Sequence, residues 1–367
     1  MKDNLYEAHS QWRSRPQDQR YESLQELIDA VKGRRMRSRS IDVEVEKLSA
    51  QTDGEALVFS SPTVVAEPTH YSFGQLSGLI KAPPGYLRTL PTDLAVLNLN
   101  HGIKEARGGK PVKLMSISSE EGGLSTLQAV TSSTYGRIWD ADVADGVQRV
   151  VEKSGGRFYN PKAMVGGQAR PSGLYASDHD IFVFMIDGGS VLDAGPRAQL
   201  NRGFFAWNSE TGAKSFGLMT FLFNMVCGNH IVWGAEDVNK IVIRHTAGGP
   251  TRFDVEAVPL LLSYADAPSK PLEDAVKRAQ GALLDEKVPE SEAELTKQVN
   301  RYAQRFAKFT NGEITSAIAF AKAEEGECRT VWQLIQGFTS YARGFDFVDA
   351  RVDLETRAGK LMDPFNN

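Results

Sequence analysis

Cysteine is nearly absent from this chain of 367 residues: only Cys227 and Cys328 occur, about a hundred positions apart. That excludes a disulfide framework and a Cys-x-x-Cys zinc site, and both are read as reduced thiols. No run approaches the roughly 18 uninterrupted apolar residues of a membrane span. The segment Met1 to Arg15 also lacks the apolar core of a secretory signal. The chain is therefore expected in the cytoplasm, with no membrane partner. A strong excess of charge is missing too: 42 Lys and Arg face 46 Asp and Glu, a formal net charge of −4. That argues against a uniformly basic nucleic-acid coat. A phosphate loop is missing as well, because Ala213 separates Gly212 from Lys214 and no glycine stands five places earlier. No cofactor is expected.

What is present is ordinary material for a core, with 41% hydrophobic and 24% charged residues. The charge is unevenly spread. Nine cations face six acids in residues 1–40, and Lys32, Arg34, Arg35, Arg37 and Arg39 form a basic run. Such a run can neutralise phosphates through counterion release, or simply complement the C-terminal pole of a helix.

Ser23 and Glu26 have capping-box spacing ahead of Leu24, Leu27, Ile28 and Val31, which predicts a short amphipathic helix ending at the basic run. Ile41, Val43 and Val45 alternate with acids, and Asp53-Gly54 precedes Ala56 to Phe59, which reads as a β-hairpin. Ser72 with Gln75 repeats the capping spacing before a helix stopped by Pro83-Pro84-Gly85, and another helix is expected from Thr92 to Glu105. Strands are expected at Val112 to Ser118, Leu124 to Ser132, Ile181 to Ile186, Gly203 to Asn208 and Lys240 to His245. A helix over Asp140 to Lys153 closes at Gly155-Gly156. Phe216 to Trp233 is almost wholly apolar, and periodicity does not decide between a buried helix and two buried strands. From about Pro268 the chain turns to charged, Ala-rich helices, including Thr330 to Arg343 and Ala350 to Met362. The fold class is α+β: a central, mostly antiparallel sheet packed with helices, plus a helical C-terminal third. The expected organisation is a basic arm and short helix over 1–40, an α+β core over 41–265 and a helical region over 266–367.

Two mixtures of aromatics and cations stand out as candidate single-strand binding surfaces, where bases stack on rings and cations meet phosphates. One is Arg202, Phe205, Trp207 and Lys214, around the polar stretch Asn208 to Gly212; the other is Tyr135 and Arg137, with Arg157, Tyr159 and Lys162 beyond. Ordinary packing also produces such mixtures. A third set, Cys227, His230, His245 and the loop Asp178-His179-Asp180, has residue types of thiol chemistry or metal binding. It lacks the spacing of either, and no metal site is assigned.

Larger stretches carry a resemblance: His70 to Leu76, Ala82 to Pro91, Asn208 to Gly212, Val226 to Ile231 and Arg244 to Thr246, with Trp332, Thr339, Tyr341 to Arg343 and Leu354 to Leu361. Together they resemble the phage- and plasmid-associated family called domain of unknown function 932, over about Trp12 to Met362. The resemblance implies work on mobile DNA or against host defence, in a bacterial or phage-infected cell. By fold-level analogy it also implies kinship with phage single-strand annealing proteins. The expected function is single-stranded DNA binding or annealing in recombination or replication, without covalent chemistry. The expected interface is Arg34, Arg35, Arg37, Arg39, Tyr135, Arg137, Arg202, Phe205, Trp207 and Lys214. The alternative is a counter-defence protein that binds a host or phage protein or a small ligand. A homo-oligomer is compatible with both, and an enzyme using Cys227, His230 and Asp178 is the third reading.

Overall fold

A computed structural model describes residues 17–54, 56–106, 108–119, 122–165, 168–171, 173–193, 199–224, 230–231, 240–267, 270–345 and 348–365. Helix α1 (Leu24–Arg37) starts as its sequence dictates, with the Ser23 hydroxyl accepting the Glu26 N–H. The Glu26 carboxylate reaches back to the N–H of Glu22 rather than that of Ser23. Leu27, Ile28 and Val31 are buried, each worth roughly 1.5–3 kcal/mol of apolar transfer.

The chain then enters β1 (Ser38–Val43), and here the expected hairpin is corrected. The hairpin joins β2 (Ser49–Asp53) to β3 (Ala56–Ser60) around Gly54, whose φ is 62°. β1 instead pairs antiparallel with β5 (Val112–Ile117), because alternation marks a strand without naming its partner. β4 (Val65–Pro68) leads to α2 (His70–Leu79), whose N-cap is Thr69 rather than Ser72. The Ser72 hydroxyl lies inside the first turn and donates to the Leu127 carbonyl at 2.6 Å. α3 (Pro84–Leu87), α4 (Thr92–Glu105) and β6 (Ser125–Ser132) complete the first unit. Its sheet has the order β1-β5-β6-β4-β3-β2, with β4 and β6 parallel and the other pairs antiparallel. Asn100 of α4 donates to and accepts from the Ala50 backbone, both at 2.8 Å, and so blocks the β2 edge.

Helix α5 (Asp140–Lys153) closes on Gly155 and Gly156, both at positive φ. A second sheet follows, with β10 (Leu174–Ala176), β11 (Ile181–Asp193), β12 (Gln199–Asn208), β13 (Phe216–Asn224) and β14 (His230–Ile231) in that order. β7 (Phe158–Tyr159) pairs with β11, β15 (Lys240–Ile243) pairs with β13, and β8 (Lys162–Val165) and β9 (Gln168–Pro171) form their own hairpin. The described part of Phe216 to Trp233 is thus strand. The helical rod from α6 (Gly249–Arg252) through a π-turn to α7 (Val258–Asp266) covers the second sheet.

The C-terminal region is helical as expected: α8 (Lys270–Gly281), α9 (Glu292–Ala303), α10 (Asn311–Glu325), α11 (Val331–Ala342) and α12 (Val348–Gly359). Reciprocal capping boxes open α10 at Thr310 and Glu313 and α11 at Thr330 and Gln333. The α+β class holds, with the antiparallel strands divided between two main sheets. One core lies between the first sheet and α2 and α4. A second lies between the second sheet and α1, α5 and α7, so the basic run belongs to a helix whose apolar face is built into the body of the protein. A third fills the helical region and takes in Leu200 and Leu222 of the second sheet. No helix among the described residues is long and apolar enough to cross a membrane.

Candidate nucleic-acid interface

Polar chemistry concentrates where the two sheets meet, around the turn from Asn208 to Gly212 that joins β12 to β13. Gly212 takes φ +96° and the Ser209 hydroxyl accepts the Ala213 N–H at 2.8 Å, which closes the turn. Three neighbours clamp it. Tyr135 donates its hydroxyl to the Ser209 carbonyl at 3.2 Å, and Gln75 of α2 donates to the Thr211 carbonyl at 2.9 Å while accepting the Val130 N–H at 2.8 Å. The Thr211 hydroxyl donates to the His179 carbonyl at 3.2 Å. Behind the turn, Asn208 donates to the Ile138 carbonyl and the Asp140 carboxylate, both at 2.8 Å. The Asp140 N–H donates to Glu210 at 3.1 Å, and Arg137 donates to the Glu210 carbonyl. Arg34 of α1 donates to the Ser177 carbonyl and lies 3.4 Å from the Asp140 carboxylate.

From this base rises a ladder of alternating guanidinia and rings. Arg35 lies over the Trp139 ring at 5.2 Å, Arg137 sits between Trp139 and Tyr135 at 5.4 Å from each, and Tyr135 stacks on His245 at 5.0 Å. Tyr71 stacks on His179 at 5.7 Å, near enough for its phenol to act on that of Tyr135. Lys113 donates to the Tyr135 carbonyl at 3.4 Å, while Lys214 and Arg244 are exposed at the rim.

Burial sets the charges. It raises the Tyr135 phenol, with Arg137 opposing, and lowers the Arg137 guanidinium. Burial also brings His245 down to about 4, helped by Arg137 and opposed by the Gly136 and Lys214 carbonyls. His245 is therefore neutral at pH 7, and its Nδ1 accepts the Ile138 N–H at 3.3 Å. Burial first, then the Glu210 carboxylate, push the Asp140 carboxyl well up, against Arg34 and Asn208. The Nε of Arg34 and the Nη2 of Arg137 are buried donors without a hydrogen-bond partner, a state that costs roughly 1–3 kcal/mol per group unless a ligand or water meets it.

The ten residues expected from the sequence divide sharply. Arg35, Tyr135, Arg137 and Lys214 come together in the ladder and its rim, with Arg34 at the base. Arg37 bonds the Gly33 and Ser118 carbonyls, and Arg39 is exposed on β1. Arg202 and Phe205 are corrected, while Trp207 is half-buried against the Phe205 cluster and makes no ring contact with the ladder residues described above. Arg202 is 1% exposed. It donates from Nε to Asp187 at 3.0 Å and from its terminal nitrogens to the Ala265 and Ala267 carbonyls, so it cannot reach a phosphate. Phe205 is buried among Phe182, Phe184 and Phe221, and Trp207 lies over Gly217, where a Cβ would fall 1.9 Å from the ring.

Trp139, Tyr71 and the stacking role of His245 are not among the residues expected from the sequence. Trp139 had a readable signal, because Tyr135, Arg137 and Trp139 alternate as side chains on one side of an extended segment do. Cys227 lies outside the described residues, and only the backbone of His230 is described, in β14. Asp178 accepts from, or ion-pairs with, His179 Nδ1 at 2.6 Å, and the Ser177 hydroxyl lies 3.4 Å from the same nitrogen while donating to Asp180. A hydrolytic triad needs the acid and the hydroxyl on opposite ring nitrogens, so this loop is not one. Among the described residues no group of three or more His, Cys, Asp or Glu is arranged to hold a metal. No family model matches the chain, and no curated protein or solved structure matches it.

Proposed function

We propose that the protein binds single-stranded nucleic acid, DNA of a phage or other mobile element, and acts by binding and annealing in recombination or replication without a covalent step. The observation that carries this is the ladder of Arg35, Trp139, Arg137, Tyr135 and His245. Arg137 and His245 already cover the Tyr135 ring, so a base would stack on half-buried Trp139 by displacing Arg35 from it, irrespective of sequence, while the cations Lys113, Lys214 and Arg244 would meet the backbone.

The test is fluorescence anisotropy with a labelled oligothymidylate across a salt series, with particle mass recorded with and without DNA. The expected result is binding that weakens as salt rises, accompanied by a larger assembly. An absence of binding at low salt would overturn the reading and leave binding of a host or phage protein as the function to pursue.

A further inference from the structure

Beyond the Arg35 end of the ladder, the basic run of α1 lies antiparallel along the acidic first turns of α5. Lys32 Nζ meets Asp145 at 2.7 Å, Arg35 meets Asp142, and Arg34 meets Asp140. The arrangement is doubly complementary, because cations at the C-terminal end of one helix face aspartates at the N-terminal end of the other, each set also matching its own helix dipole. The pairs differ in depth. Asp140 is 1% exposed and belongs to the buried network, whereas Lys32 and Asp145 are 47% and 36% exposed and Arg35 and Asp142 42% and 37%.

We propose that the outer face of α1, through Lys32 and Arg35, is a second surface for the nucleic-acid backbone, held closed by Asp142 and Asp145, which occupy the places of two phosphates until a strand displaces them. This rests on the nucleic-acid reading above. Exposed ion pairs of this kind hold weakly, because water screens them and two long side chains lose freedom in making them. A phosphodiester that replaces the carboxylates releases condensed counterions from the strand, a gain the aspartates do not offer. Arg35 also caps the ladder over Trp139, so a strand stacked there meets this face next. The aspartates act as an intramolecular competitor, lowering the affinity for short or incidental strands.

The experiment compares the wild-type chain with Asp142→Asn/Asp145→Asn, using the labelled oligothymidylate and a salt series. Asp93→Asn/Glu105→Gln, two exposed acids of α4, serves as a control with the same net charge, and circular dichroism confirms that each variant is folded. The expected result is a roughly ten-fold gain in affinity at low salt. An oligothymidylate too short to displace the aspartates meets Lys32 and Arg35 only in the variant, so the slope of log K against log salt should steepen there by roughly 1.4, two cations at about 0.7 each for a single strand. The control should show a smaller gain and no change of slope. Lys32→Gln should cost more affinity in the Asp142→Asn/Asp145→Asn background than in the wild-type chain. Equal affinity and slope in the wild-type and Asp142→Asn/Asp145→Asn proteins, with wild-type binding intact, would sink this inference and leave the ladder standing. Failure of both proteins to bind would remove the parent reading as well, and binding by the variant alone would support both.

Discussion

Among the described residues, two arginines sit between two aromatic rings, and they have opposite meanings. Arg202 lies 5.9 Å from Phe158 and 5.3 Å from Tyr264, and Arg137 lies 5.4 Å from both Tyr135 and Trp139. Around Arg202 the donors are spent: Asp187 and two carbonyls from the end of α7 take them, in a site closed to solvent. Around Arg137 one terminal nitrogen bonds the Glu210 carbonyl and the other has no partner. Ring contact is common to both, so it does not separate a structural arginine from a binding one. Satisfaction of the donors does.

The comparison breaks most directly at Arg202. Arg202→Ala leaves the buried Asp187 carboxylate with Arg157, 3.7 Å away, in place of its 3.0 Å partner, and should cost roughly 3–5 kcal/mol in urea unfolding. Arg202→Ala/Asp187→Ala should recover a large part of that loss. A loss below about 1 kcal/mol for the single variant would mean that the pair is not the anchor its geometry describes.

At the other arginine the partner stack is sensitive to pH. The unfolded chain takes up a proton at His245 as pH falls through the usual histidine value of 6.5, but the folded chain does so only near 4. Stability is therefore held above pH 6.5 and drains as pH falls toward 4, by an amount on the order of 3 kcal/mol. Melting temperatures over that window should fall for the wild-type protein and fall less for His245→Gln; parallel curves would show that His245 is not the group responsible.

A smaller effect, and one that sharpens the binding side, is expected of Trp139→Ala. It removes the ring shared by Arg35 and Arg137 and should weaken oligothymidylate binding by roughly 1–3 kcal/mol. Phe205→Leu, a change in the buried cluster on the face of β12 opposite Arg202, should leave affinity unchanged. Smallest is Thr310→Ala, far from both arginines, which removes one half of the α10 capping box and should cost about 1 kcal/mol of stability with no change in affinity.

Much of the fold was legible. α4 and α5 run over the residues expected of them, Thr92 to Glu105 and Asp140 to Lys153, the second closed at Gly155-Gly156, because such helices are specified within a turn or two of chain. The N-cap of α2 lies three residues before the Ser72 that the capping spacing predicts. Thr69 and Ser72 are both hydroxyl residues with capping potential, and the choice fell to Thr69 because the Ser72 hydroxyl is bonded to the Leu127 carbonyl, 55 positions away. The β1 error has the same origin, since its partner β5 lies across α2 and α4. Within the site, four of the ten expected residues meet in the ladder and its rim, and Trp139 was overlooked although its alternation with Tyr135 and Arg137 was present.

By itself the sequence determined the secondary structure of its strongly periodic segments, the α+β class with a helical C-terminal region, and the supply of rings and cations. These follow from side-chain patterns and caps that act over a few residues. Only the tertiary structure decided which strand pairs with which, which cations are neutralised by α5, and which arginine keeps an unpaired donor. Those outcomes depend on groups brought together from distant parts of the chain, as when Arg137 meets Glu210 across 73 positions and Arg34 meets Asp140 across 106. A buried polar group is held or left open by what finally surrounds it, and no local pattern records that.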